Sequence, residues 1–230
     1  MNNRLSEAIV EAYKSTNGAP ISFELMLKCY QSRMKDANND DSISSVLKQL
    51  VNAHIFESED KVSLIDDSYI IKMDGYPKDG PIAKAIVYFL MSKLNNIYEL
   101  LDKQAVNDEV VQIRHFSIID EAHYMLDFDN RPLRNLIAVG RNKGLSIILA
   151  TQNMSSFKSK GFDFYANAQY PLIMKQQTID DKVIKDLFGV SGQELQEIRT
   201  AIAGLQKGEL IIKDPVSYTH LRAHETELHL

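Results

Sequence analysis

The chain has one cysteine, Cys29, so it cannot close a disulfide within itself. That excludes a small disulfide-stapled scaffold and fits a reducing, cytoplasmic setting. Cys29 falls in a helical pattern, where a lone thiol is expected to be a small core residue. Long apolar runs are missing as well. No stretch approaches the roughly 18 residues that a membrane-spanning helix needs. The opening Met1-Asn-Asn-Arg-Leu-Ser-Glu7 has no apolar core of the secretory kind. Nor is positive charge in excess. Lys and Arg number 26 against 31 Asp and Glu, a formal net charge of -5. This excludes a broadly basic coat for nucleic acid, but not a local basic groove or DNA held in an oligomer's pore. No internal repeat is present. What the chain does have is 44% hydrophobic residues over 230 positions. That is enough for one packed domain with a small appendage.

Residues 1–66 predict a small helical module. Leu5, Ala8, Ile9, Ala12 and Tyr13 recur at helical spacing and Asn17-Gly18 closes the segment. Ser22 caps a second helix carrying Phe23, Met26, Leu27 and Tyr30. Ser42 opens a third, with Ile43, Val46, Leu47, Leu50 and Val51. Ile55-Phe56 and Val62-Ser-Leu-Ile65 then flank a polar turn, as in a hairpin. Three helices and a hairpin suggest a winged-helix-like module. A DNA-reading version needs cations on its third helix, and this one offers mainly Lys48. A structural or partner-docking role is therefore expected.

Residues 67–214 alternate strands and helices. Ser68–Met73 reads as a strand, and Pro81 suits the first turn of a long helix with an apolar stripe from Ile82 to Leu101. Phe116–Asp120 is a strand. Asn130 and Pro132 start a helix towards Arg141, and Gly144 can end it in a left-handed conformation. Leu145–Ala150, Tyr170–Lys175 and Glu209–Lys213 complete the strands. Thr178 and Ser191 stand at N-cap positions, and Ser191 with Glu194 forms a capping-box pattern. The alternation predicts an α/β fold, a largely parallel sheet with helices on both faces. Residues 215–230 fit no element. They are expected to be a disordered tail or a translated assembly artefact. His220, His224 and His229 lie there without the carboxylate or thiol partner of a strong metal motif.

The most informative stretch is His115-Phe-Ser-Ile-Ile-Asp-Glu-Ala-His123. An apolar strand ends in two adjacent carboxylates, the layout of a Walker B strand in a phosphate-loop ATPase. A buried strand delivers an aspartate to its C-terminal edge, where Mg²⁺ and phosphates sit. Asp120 would reach the metal shell through water, and Glu121 would polarise the attacking water. A solvent-facing carboxylate pair starting a loop is the plain alternative. His123 is expected to be a polar contact beside the site. The strand Ser146–Ala150 runs into Thr151-Gln152, polar side chains that can face the γ-phosphate or hold the water; a simple strand-end cap is the alternative. Arg141, in Gly140-Arg-Asn-Lys-Gly144, is either an arginine finger or an exposed cation favoured by a helix C-terminus. Lys143, Arg131 and Arg134 are expected to be surface charges. Gly75-Tyr-Pro-Lys-Asp-Gly80 has the glycine spacing of a phosphate loop, but Pro81-Ile82 stands where Lys-Ser/Thr is required. The 230 residues contain no complete Walker A motif.

Together, Ile118-Ile-Asp-Glu-Ala-His123, Leu136-Ile-Ala-Val-Gly-Arg-Asn-Lys-Gly-Leu-Ser-Ile-Ile-Leu-Ala-Thr-Gln152, Asn167–Lys175 and Leu205–Ile212 resemble the C-terminal half of a HerA/FtsK-type ATPase core. The resemblance covers roughly residues 66–214, and the DptH proteins of phosphorothioation-dependent restriction are a closer candidate group within it. It implies part of a RecA-like core, with ATP and Mg²⁺ as cofactors. It also implies a hexameric ring in the parent protein, DNA as the partner, and a place in phage defence. It makes Asp120 the Walker B aspartate, Glu121 the catalytic glutamate, Gln152 the sensor, Thr151 a nucleotide contact and Arg141 the finger. In this clan Walker A precedes these motifs. The chain is therefore expected to be part of a longer protein, with the helical module inserted between two halves of the core, and to be inactive alone. Two other readings compete. One is a fragment of an Asp-Glu-Ala-His-box helicase, although that class follows the box with Ser-Ala-Thr, not Ala-Thr-Gln. The other is a non-catalytic interaction protein that keeps an ATPase-like sheet.

Overall fold

A computed structural model describes residues 2–17, 19–36, 39–54, 63–107, 110–152, 154–159 and 162–212. The chain divides into two compact units, Met1–Phe89 and Leu90–Leu230. The sequence pattern placed the boundary at 66/67.

In the first unit, α1 (Asn2–Ser15), α2 (Phe23–Gln31) and α3 (Ser42–Asn52) are amphipathic helices. They bury Ala8, Ala12, Cys29, Tyr30 and Leu47 in one cluster. Ser22 caps α2 as its side chain accepts from the Leu25 N–H at 3.1 Å. Ser42 opens α3, as expected, and Asp41 caps it. Its Oδ1 accepts from the N–H groups of Ile43 (3.0 Å) and Ser44 (2.9 Å), and Ser44 Oγ accepts from the Asp41 N–H at 3.0 Å. This reciprocal capping box satisfies donors that a helix start leaves open. The buried Tyr30 hydroxyl donates to Asp41 Oδ2 at 2.6 Å. The Ser44 backbone N–H and then the Tyr30 hydroxyl hold the Asp41 carboxyl below its ordinary value of 3.8. Lys48, the main cation of α3, pairs with Asp40 at 2.7 Å.

The Asp41 shift has a pH signature. A carboxyl depressed in the folded state contributes stability above its unfolded pKa and loses it as pH falls through the folded one. The helices of this unit are therefore expected to be less stable to urea below about pH 4 than at pH 6. Asp41→Asn should flatten that dependence, as read from helical circular dichroism.

The expected hairpin after α3 falls largely on residues 55–62, outside the described residues. Ser68–Met73, expected as a strand, is a correction: it has no regular secondary structure and belongs to no ladder. Tyr69, Ile70 and Ile71 are 47%, 90% and 52% exposed. An apolar run becomes a strand only where a neighbour offers a matching edge. Ahead of α4 (Pro81–Leu100), the Gly80 N–H donates to Pro77 O at 2.9 Å. Gly75–Gly80 thus leads through a tight turn into a helix whose first residue, Pro81, needs no N–H partner.

The second unit carries short ladders. β1 (Val106–Asn107) pairs with β2 (Val110–Val111), β5 (Lys158–Ser159) with β6 (Phe162–Asp163), and β7 (Leu172–Met174) with β8 (Leu210–Ile212), all antiparallel. Only β3 (His115–Ile119) and β4 (Leu145–Leu149) are parallel. Between these two run the single turn α5 (His123–Leu126), α6 (Arg131–Val139) and a 3-10 turn, Arg141–Lys143. The fold is mixed α/β, as expected. The single, largely parallel sheet is corrected: among the described residues the strands form four two-stranded ladders. The antiparallel pairing of β7 and β8 has a geometric cause. Two helices, α8 (Asp181–Phe188) and α9 (Gly192–Gly204), lie between them in the chain, room enough for β8 to return against β7.

Two cores stabilise this unit. Ile173 and Ile211 point from β7 and β8 onto Val183, Ile184, Leu187, Leu195, Ile198 and Ile202 of α8 and α9. Ile119, Ala122, Leu126, Leu133 and Phe164 form the other, with Ile147 and Leu149 of β4 packed against it; Phe164 opens the short α7 (Phe164–Asn167). The opposite face of the parallel pair is bare. Phe116, Ile118 and Ile148 are 57%, 69% and 40% exposed. Parallel sheets normally have both faces covered, and this one is covered on one.

The caps follow the chain's chemistry with two corrections. Asn130 caps α6, accepting from the Leu133 N–H at 3.2 Å. Asp180, not Thr178, caps α8. Ser191 stands at the N-cap of α9 but makes no side-chain cap bond, so the box with Glu194 does not form. Gly144 ends the 3-10 turn at φ +80, and a Cβ there would meet Gln112 O at 2.7 Å, so only glycine fits without strain. Lys143 is more than a surface charge. Its Nζ donates to the carbonyls of Tyr98 (2.5 Å) and Glu99 (2.9 Å), closing the C-terminus of α4.

Candidate functional site at the tips of two parallel strands

The register His115↔Leu145 through Ile119↔Leu149 brings both strands to an end at one edge. Asp120 follows β3 there, and Ala150-Thr151-Gln152 follows β4. The seam continues for one more step. The Ala150 N–H donates to Ile119 O at 2.9 Å and the Ala122 N–H donates to Ala150 O at 2.8 Å. These bonds fix the turn that carries Asp120 and Glu121.

Glu121 has a left-handed backbone, φ +51. For a residue with a Cβ that conformation costs roughly 1–2 kcal/mol, and strain of this kind gathers at functional sites. The Glu121 N–H donates to Asp120 Oδ1 at 2.8 Å, which offsets part of the cost. The turn aims the Glu121 carboxylate at β4. Gln152 Nε2 donates to Glu121 Oε1 at 2.8 Å, a bond between residues 31 apart in sequence. His123 Nδ1 lies 3.3 Å from Glu121 Oε2 and 3.4 Å from Thr151 Oγ1. The side chains of Glu121 and His123 are each 30% exposed, whereas Asp120 faces solvent.

The structure thus gathers Asp120, Glu121, Thr151 and Gln152 at one edge, with His123 between them. It places Arg141 elsewhere. Arg141 is exposed in the turn before β4, at the other end of a five-residue strand. At about 3.3 Å per residue that separates it from the carboxylates by roughly 17 Å. Arg141 cannot reach Glu121 of its own chain. Arg131 is exposed, and Arg134 pairs with Asp129 at the start of α6. His115, whose pKa burial pushes down, also sits at the far end of β3. The bridging geometry of His123 was not legible from sequence. Its only signal was a histidine two residues past the glutamate.

Chemically, the edge offers one exposed carboxylate and one held carboxylate. Among the described residues no three His, Cys, Asp or Glu side chains form a metal-binding group. The single Asp120 suits Mg²⁺, which keeps most of its waters and shares its other positions with phosphate oxygens. Asp120 would hold such an ion through water. Glu121 can accept a proton from, or orient, a water. The five side chains gathered here include no lysine or arginine. No protein-family model matches the chain, and no curated protein matches it. No helix among the described residues is long and apolar enough to cross a membrane.

Proposed function

We propose that this chain supplies the water-activating half of an ATPase site in a DNA translocase or helicase motor of the HerA/FtsK type, of the kind that serves in phage defence. One observation carries the reading. A parallel, in-register strand pair sets the Gln152 amide on the Glu121 carboxylate at 2.8 Å, beside an exposed Asp120. Phosphoryl transfer needs positioning and charge neutralisation more than covalent help from the protein. In this reading Asp120 holds Mg²⁺ through water, Glu121 orients the attacking water and Gln152 fixes Glu121 while sensing the γ-phosphate. Thr151 lies on the nucleotide side of the same edge.

The rest of the site comes from outside these residues. A phosphate loop of the Gly-x-x-x-x-Gly-Lys-Ser/Thr type supplies the donors that the edge lacks. Arg141, far from its own Glu121, acts on the site of a neighbouring copy, which a ring assembly allows. The bare face of Phe116, Ile118 and Ile148 is apolar surface that the remainder of such a core would cover. The same face favours a second reading, a non-catalytic protein that docks a partner there. Turnover of a Glu121→Gln variant separates the two.

A further inference from the structure

We infer that His123 is a positioning residue for Glu121, with its proton on Nδ1. This rests on the reading of Glu121 as the water-orienting carboxylate. Four observations lead to it. Glu121 has a neighbour at each oxygen: Oε1 accepts from the Gln152 amide at 2.8 Å, and Oε2 lies 3.3 Å from His123 Nδ1. The His123 ring lies against the Tyr124 ring, centroids 4.1 Å apart at 38°, which limits its rotation. Nδ1 is also 3.4 Å from Thr151 Oγ1, so one nitrogen faces the tips of both strands. Finally, the left-handed backbone of Glu121 points the carboxylate into this bracket instead of out to solvent.

The protonation state follows from the partner. A carboxylate offers only acceptors, so a nitrogen that holds it must donate. Which nitrogen of a neutral imidazole carries the proton is set by its neighbours. Here the carboxylate 3.3 Å away favours a proton on Nδ1, and the Thr151 hydroxyl at 3.4 Å then stands on the accepting side. The bracket orients Glu121 before any nucleotide arrives, so the water-activating group is held to the seam between β3 and β4. A shift of either strand tip would then move the carboxylate.

The test is the nitrogen NMR signature of the His123 ring in the full 230-residue chain, without nucleotide. Nδ1 is expected to show the protonated, pyrrole-type shift. Glu121→Ala should weaken it: with no carboxylate beside the ring, the Thr151 hydroxyl at 3.4 Å can donate to Nδ1, and the pyridine-type share of Nδ1 should rise. A second measurement follows the Gln152 side-chain amide protons. They should move towards solvent-exposed shifts in His123→Ala and return in His123→Asn, whose amide N–H stands where Nδ1 was. A bare Nδ1 in the unaltered chain, an Nδ1 shift unchanged in Glu121→Ala, or Gln152 signals indifferent to His123→Ala would each overturn the inference. None of these readouts depends on ATP hydrolysis. Loss of the bracket and loss of the ATPase reading are therefore told apart: the first by the ring shifts, the second by turnover.

Discussion

Glu121→Gln is expected to lower ATP turnover by about 10²- to 10⁴-fold in a protein that joins this chain to a phosphate loop. The substitution preserves shape. A glutamine at 121 can keep the bond from Gln152 to its oxygen and the left-handed turn that aims it. In the proposed mechanism it removes the negative charge and basicity that would draw a proton from the attacking water. The loss should therefore fall on kcat, with KM for ATP changed only a few-fold, because the interaction matters in the transition state and little in nucleotide binding. Steady-state hydrolysis at saturating DNA reads the effect. A kcat within twofold of the unaltered protein would remove Glu121 from the mechanism and favour the partner-docking alternative.

Leu133→Ala is expected to cost about 2–5 kcal/mol of stability. Leu133 is 0% exposed, and it packs in the cluster with Ile119, Ala122, Leu126 and Phe164. Truncating it opens a cavity beneath the turn that holds Asp120 and Glu121. Two readouts follow. The urea midpoint of the second unit should fall. The Ala122 amide, which donates to Ala150 O across the seam, should exchange faster with solvent. A midpoint unchanged within error would mean that this core does not support the strand tips.

The parts of this site that could be read from sequence were those set by local pattern. Phe116–Asp120 and Leu145–Ala150 are short apolar runs closed by polar residues, and both became strands that end at one edge. Asn130 and Ser22 act as caps because a short polar side chain can reach an N–H two or three residues on. Gly144 takes the left-handed turn that glycine tolerates best. What was not legible depends on distant partners. The Ser68–Met73 run looks like a strand, but pairing needs an edge that the run itself does not encode. The antiparallel pairing of β7 and β8 departs from the largely parallel sheet that the alternation of strands and helices suggests, because pairing direction is set by tertiary contacts across two intervening helices. The Tyr30 hydroxyl that donates to the capping Asp41 comes from 11 residues away, a contact that local pattern does not show. Lys143 serves the end of α4 from 44 residues downstream. The left-handed Glu121 and the Glu121–His123–Gln152 bracket are likewise tertiary. They arise only once the register of β3 against β4 is fixed.

The most direct measurement uses the chain itself. Mn²⁺ complexed with a non-hydrolysable ATP analogue, titrated into ¹⁵N-labelled protein, broadens amide signals near wherever the metal–nucleotide settles. Even weak binding, without a phosphate loop, suffices for this readout. Broadening is expected at the amides of Asp120, Glu121 and Ala122 and of Thr151 and Gln152, and it should vanish there in Asp120→Asn. Broadening spread evenly over the acidic surface, or identical in Asp120→Asn, would contradict a metal–phosphate role for this edge.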